Sequence, residues 1–331
     1  MGIAFDQDQQ DFQAKVEGGD FMAGTAAIEA VTRAARQGDA GAIAELCALF
    51  ARVAFITPEA ASAVYDAFTR AWLASDDPAL RSTMESQAAL AHLTGLSRLS
   101  PALWADFWSI VQGAGTPDAE GLTAQVAGLG AHMDEAFTRK AEAVAARHPG
   151  CAGAASRPAP RRLTLDELAR QPQGSLGHDI HTLIVSNDFD LEVLDREAIG
   201  LAQMTPALRY LNTRILQTHD IWHLVGGYRT TVLHEVGISA FQLAQFGHNY
   251  SAMLLAVAAS SIAHASPEGF PVFIQVMAEA WLHGRRTPSF MNIDWESEWR
   301  DSIATIRARH NILPFESLYP ADLIEQFASA A

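Results

Sequence analysis

Cysteine is scarce in this 331-residue chain: Cys47 and Cys151 suffice for one disulfide at most and for no thiolate metal motif. Basic charge is scarce too. Lys and Arg total 23 against 38 Asp and Glu, and a formal net charge of −15 repels nucleic-acid phosphates, so no nucleic-acid partner is expected. The same balance argues against a polybasic membrane anchor, though not against contact through apolar surface. The longest apolar run, 252–263, contains Ser260 and Ser261 and is too short to span a bilayer. Met1 to Asp8 is acidic and has no apolar centre, so neither a secretory signal nor an Arg-rich transit peptide is expected there. The expected location is cytoplasmic, with peripheral attachment to the inner face of the cell membrane as a variant.

Apolar residues make up 49% of the chain, enough for a substantial core. Alanine-rich stretches with leucine at helical spacing predict an all-α protein. Residues 1–150 read as a helical region of unknown role, in which Asp39, Thr57-Pro58 and Ser100-Pro101 have the form of helix starts. Glu45, Asp66 and His92 read there as surface or satisfied-core groups. Small residues and prolines over 151–160 predict a linker between separable halves. A helical, bundle-like domain over 161–331 follows. Thr164 and Glu167 form a capping box, and 188–190 would cap a further element. Long helices are expected over about 205–224, 232–246, 250–265, 271–282 and 295–310.

Chemistry concentrates at Thr218-His219-Asp220-Ile221-Trp222-His223. His219 and His223 are one helical turn apart, so their β-carbons stand about 6 Å apart on one face. Two imidazole nitrogens can then each reach one ion at about 2.0–2.1 Å. Asp220 is about 100° around the helix and would close on the same ion. Glu235 follows twelve positions after His223, beyond Gly226-Gly227, and would come from the first turn of the next helix. Two His and two carboxylates suit Zn²⁺ and would accept Mn²⁺ or Fe²⁺. A His pair at this spacing also arises by chance on helix surfaces. His178-Asp179-Ile180-His181 is a similar string, read here as a solvated helix face.

His-Asp-x-x-His followed by eleven residues and Glu resembles the signature of the coenzyme Q (ubiquinone) biosynthesis protein 4 family. Gly174-Ser175-Leu176-Gly177, Arg214, Thr230-Thr231-Val232-Leu233, Gly284-Arg285-Arg286 and Asp294-Trp295-Glu296 with Trp299 extend the likeness over about 163–318. His234 stands where the family usually has Gly, and Leu216 replaces a second Arg. The resemblance implies a Zn²⁺-binding helical protein of ubiquinone synthesis with a groove for polyprenyl tails. Met253, Leu254, Val257, Phe273 and Met277 would line that groove, although their spacing suits a plain core equally. It further implies oxidative decarboxylation of the prenylated ring at carbon one, with Arg214 as catalytic cation for the ring carboxylate or as a partner orienting Asp220. Expected partners are a prenylated quinone precursor, other ubiquinone-biosynthesis proteins, a membrane surface and a second copy of the chain. A non-catalytic lipid-presenting scaffold and a His-Asp metal phosphohydrolase are the alternatives.

Overall fold

Cap residues and alanine-rich, leucine-spaced segments produce helices from end to end, and no strand occurs among the described residues. The computed structural model describes residues 6–21, 24–113, 119–158, 160–191, 201 and 204–330. The element expected after 188–190 lies outside them. The first half holds α1 (Gln7–Gly18), α2 (Thr25–Arg36), α3 (Ala40–Phe55), α4 (Ala61–Leu73), α5 (Met84–Ala89), α6 (Pro101–Val111), α7 (Ala119–Leu129) and α8 (Glu135–Ala146). The second holds α9 (Leu165–Ala169), α10 (Leu176–Asn187), α11 (Pro206–Gly226), α12 (Val232–Phe246), α13 (Asn249–Ala265) and α14 (Phe270–Arg286). Short helices α15 (Trp295–Glu298), α16 (Ile303–His310) and α17 (Leu323–Ala330) end the chain.

The cap chemistry explains several starts. Asp39 accepts from the Ala42 amide, Ser100 from that of Leu103, and Thr164 and Glu167 cap α9 reciprocally. Thr57 makes no such bond, and Pro58–Ala60 forms a 3₁₀ turn before α4. The single helix expected over 295–310 is two. The carbonyls of Trp299 and Asp301 accept from Gly177 and Leu176 at the start of α10, 3.0 and 2.8 Å away, and Ser302 begins a new helix by capping the Thr305 amide. Those carbonyls are thereby drawn out of a continuing helical ladder.

The halves do not have separate cores, contrary to the linker expectation. α3 packs along α13, and α4 along α14. Tyr65 stacks on Trp281 with ring centroids 4.8 Å apart, and Trp72 Nε1 donates to Gln275 Oε1 at 3.0 Å. Trp281 Nε1 donates to Asp66 Oδ1 at 2.9 Å, so Asp66 is a buried, satisfied anchor between the halves. Even the small-residue segment is packed: Cys151 and Ala154 are buried, and the turn Ala154–Ser156 lies against α11.

This packing also corrects the expected groove. Met253, Val257, Phe273 and Met277 are buried in the shared core, and Leu254 is partly buried against it. Their apolar pattern is real, but the N-terminal helices cover it. No single helix among the described residues is long and apolar enough to cross a membrane. α3 with the segment Pro58–Leu73 would pass by length and composition only across a 117° bend.

Candidate metal centre

α11 begins with Thr205 capping the Leu208 amide and Pro206 at the first helical position. It ends where Gly227 turns left-handed at φ 85°, a conformation that costs glycine no β-carbon clash. A β-carbon there would also approach Pro314 Cβ to 2.9 Å. The reversal delivers Tyr228 beneath His223 and leads, through Thr231, into α12, whose first turn carries Glu235.

Three of the four expected ligands meet. His219, His223 and Glu235 each offer an atom within 4.8 Å of the others. The two Nε2 atoms are 2.9 Å apart, and Glu235 oxygens lie 3.4 Å from His223 Nε2 and 3.6 Å from His219 Nε2. Ligand atoms around a tetrahedral ion with bonds of about 2.0–2.1 Å stand about 3.3 Å apart, so the group has the dimensions of an ion site. The His223 side chain is 3% exposed and that of Glu235 42%, so the group opens to solvent on the Glu235 side. The Tyr228 carbonyl lies 3.2 Å from His223 Nδ1. A carbonyl only accepts, so this contact places the ring hydrogen on Nδ1 and leaves Nε2 bare toward the group. The donor set therefore fits a divalent transition metal.

The electrostatics of His223 and Glu235 agree with that fit. Burial, and secondarily His219, holds the His223 imidazole down to about 4, keeping it neutral. Burial works against charge on His219 as well, but the Glu235 carboxylate 3.6 Å from its Nε2, with Asp220 adding to it, outweighs burial and raises its pKa. Burial likewise opposes ionisation of Glu235, and the two histidines overcome it, so its carboxyl lies below the ordinary value.

Asp220 is outside this group. It is buried, and burial above all pushes its carboxyl up to about 6, with His219 opposing and Glu235 adding to the rise. Arg214 is also placed differently from expectation. Its guanidinium clasps Glu296, Nη1 to Oε1 at 2.6 Å and Nη2 to Oε2 at 3.1 Å, beside a surface recess of about 430 Å³. It is thus already neutralised by a bidentate partner. His178 and His181 are part-exposed and take no part in the group.

Sequence reasoning missed the supporting residues. Gln242 lies 3.0 Å from His219 Nδ1, and buried Trp222 meets the His219 ring edge-on at 6.4 Å. Gln242 is seven positions after Glu235, two turns along the same face, which is the signal that could have found it.

The sequence profile of the family described as "Coenzyme Q (ubiquinone) biosynthesis protein Coq4" matches residues 150–316. The mitochondrial COQ4 homologue of ubiquinone biosynthesis from Rattus norvegicus is 26% identical over 152 residues, 46% of this chain and 56% of the relative. The Homo sapiens homologue is 26% identical over 146 residues, 44% of this chain and 53% of the relative. A solved structure of a candidate ubiquinone biosynthesis protein from Nostoc punctiforme aligns at TM-score 0.48 and 25% identity over 63% of this chain and 95% of that one. The chain spans about half the length of the curated relatives it matches. With half of its residues matched by the family profile, this chain belongs to the coenzyme Q (ubiquinone) biosynthesis Coq4 family.

Proposed function

We propose that this chain holds one divalent transition metal on His219, His223 and Glu235 and acts in the synthesis of a prenylated quinone. The observation that supports it is the tight His₂Glu group, buried on its histidine side and open on its carboxylate side. Three protein ligands with an open position are the pattern of catalytic rather than structural metal sites. A bound metal supplies a Lewis-acidic centre there; Zn²⁺ would polarise a substrate without moving electrons, whereas Fe²⁺ or Mn²⁺ would also serve redox chemistry. The chain's own residues do the positioning. The Tyr228 carbonyl orients the His223 ring, Trp222 lies edge-on against the His219 ring, and Glu235 faces the accessible side.

The reaction proposed is the oxidative decarboxylation of a prenylated aromatic acid, in which the ring carboxylate leaves as carbon dioxide, a hydroxyl takes its place and two electrons pass to an external oxidant such as dioxygen. It rests on family membership together with the open site. A lipid-presenting scaffold is the second reading, favoured by the Arg214–Glu296 clasp, which occupies the expected carboxylate anchor. The phosphohydrolase reading has no support, because His178 and His181 do not join the ligands.

The test is genetic and chemical. Deleting the gene should lower the prenylated quinone and accumulate a precursor that keeps its ring carboxylate. A wild-type copy should restore the quinone, and Glu235→Ala at equal abundance should not. Restoration by Glu235→Ala would leave only the scaffold, and an unchanged quinone level in the deletion strain would remove the chain from the pathway.

A further inference from the structure

Behind His219, a run of polar side chains leads away from the metal group through the interior and crosses three helices. One end of the Gln242 amide lies 3.0 Å from His219 Nδ1, and the other lies 3.2 Å from Ser251 Oγ. Ser251 Oγ is 3.0 Å from His248 Nδ1, and His248 Nε2 is 3.1 Å from Asn212 Oδ1. Asn212 Nδ2 donates to the Leu208 carbonyl at 2.8 Å, which anchors the run on α11, two turns before His219.

Counting hydrogens from that anchor gives the run a direction. The Leu208 carbonyl oxygen only accepts, so turning the Asn212 amide over would set two oxygens 2.8 Å apart, and the Asn212 oxygen must therefore face His248. An oxygen of that kind only accepts, so His248 Nε2 carries the hydrogen. Burial, with His219 adding to it, holds the His248 imidazole down to about 3. Neutral His248 therefore has a bare Nδ1, which requires the hydroxyl hydrogen of Ser251. Ser251 Oγ, having spent its hydrogen, must then accept from Gln242, and the Gln242 atom facing it has to be the nitrogen. The amide as it stands has Nε2 toward His219. A half-turn, which leaves its shape unchanged, satisfies every link. The Gln242 oxygen then faces His219, and His219 Nδ1 carries the ring hydrogen.

We propose that Asn212, His248, Ser251 and Gln242 form a tautomer lock, which holds the hydrogen of His219 on Nδ1 and presents its Nε2 bare to the metal. Its purpose rests on the metal-binding reading, while the tautomer itself does not. Tyr228 does the same for His223 with a backbone carbonyl, so both rings face the group with lone pairs before any ion arrives. Two bare nitrogens 2.9 Å apart repel one another unless a cation stands between or beside them. The four residues are positioning residues: Gln242 alone touches a ligand, and Asn212 acts through three intermediates.

Long-range ¹H–¹⁵N correlation spectra of the metal-free full chain, histidine-labelled and at mildly alkaline pH, read the tautomers directly. His219 signals are identified by their loss in His219→Ala. The lock requires His219 to be protonated on Nδ1 and His248 on Nε2; His219 protonated on Nε2 alone would overturn it. Asn212→Leu removes the acceptor that sets the direction, so it should move part of His219 to the Nε2 tautomer and weaken Zn²⁺ binding about tenfold. Asn212→Asp keeps an acceptor toward His248 and should retain both the tautomer and the affinity. Equal loss of affinity in the two variants with no change of tautomer would overturn the lock. A wild-type chain that shows Nδ1-protonated His219 but binds no Zn²⁺ would sink the metal reading and leave the lock standing.

Discussion

Burial leaves four histidines neutral well below the ordinary value of 6.5: His148, His223 and His283 at about 4, and His248 at about 3. An unfolded chain takes up protons at these positions from about 6.5 downward, while the native chain refuses them. Their contribution to stability is therefore complete above 6.5 and is lost as pH falls toward 4. Asp220, raised from 3.8 to about 6, runs the other way, because the native chain binds its proton first. His219 and Asp66, also raised, run the same way as Asp220, but the four large histidine shifts outweigh these three groups, so the melting temperature should fall between pH 6.5 and 4 in a scanning calorimeter. A flat profile over that interval would contradict the buried, neutral histidines. Among single residues, His219, His223 and Glu235 were legible because the chemistry of ligation demands particular side chains at turn spacing. Asp220 satisfied the letters of the motif, but its carboxylate does not converge with the other three. Asn212, His248 and Ser251 were not legible at all. Neutral polar residues on separate helices acquire a common direction only once the fold has brought them together.

At the scale of elements, the reversal between α11 and α12 matters most to the site. Gly227 combines φ 85° with a contact that would bring a β-carbon to 2.9 Å from Pro314. Gly227→Ala should cost about 1–3 kcal/mol in urea unfolding, from the left-handed conformation together with the clash. It should also weaken metal binding, since Tyr228 and its carbonyl follow directly. A variant as stable as wild type would show that the turn relaxes freely. The boundaries of α12 were readable from Gly226-Gly227 before it and Gly247 after it, because glycine punctuation acts locally. The break between α15 and α16 was not, because the carbonyls that interrupt it are claimed by α10, more than 120 residues earlier in the chain.

For the whole molecule, the central fact is one core shared across the 151–160 segment. Tyr65, Asp66 and Trp72 from α4 meet Trp281 and Gln275 from α14, and Cys47 of α3 donates to the Ala259 carbonyl of α13 at 3.5 Å. A fragment beginning at Arg161 would expose these faces of α13 and α14 to water, losing about 25 cal/mol for each Å² of apolar area uncovered. Such a fragment should be insoluble, or lack a cooperative melting transition, when expressed alone. A soluble, cooperatively folded fragment would show that the halves are independent. The all-α class and the apolar stripes were legible in the sequence. What covers each stripe was not, because periodicity identifies a buried face without naming its partner. That is why Met253, Val257, Phe273 and Met277 suited a groove as well as they suit the core they occupy.

Elemental analysis of the purified 331-residue chain tests the metal centre most directly. About one divalent transition metal ion per chain is expected, retained in Asp220→Asn and lost in His223→Ala and Glu235→Ala. A wild-type chain that stays metal-free after incubation with Zn²⁺, Fe²⁺ and Mn²⁺, or a Glu235→Ala chain that holds as much metal as wild type, would contradict the account.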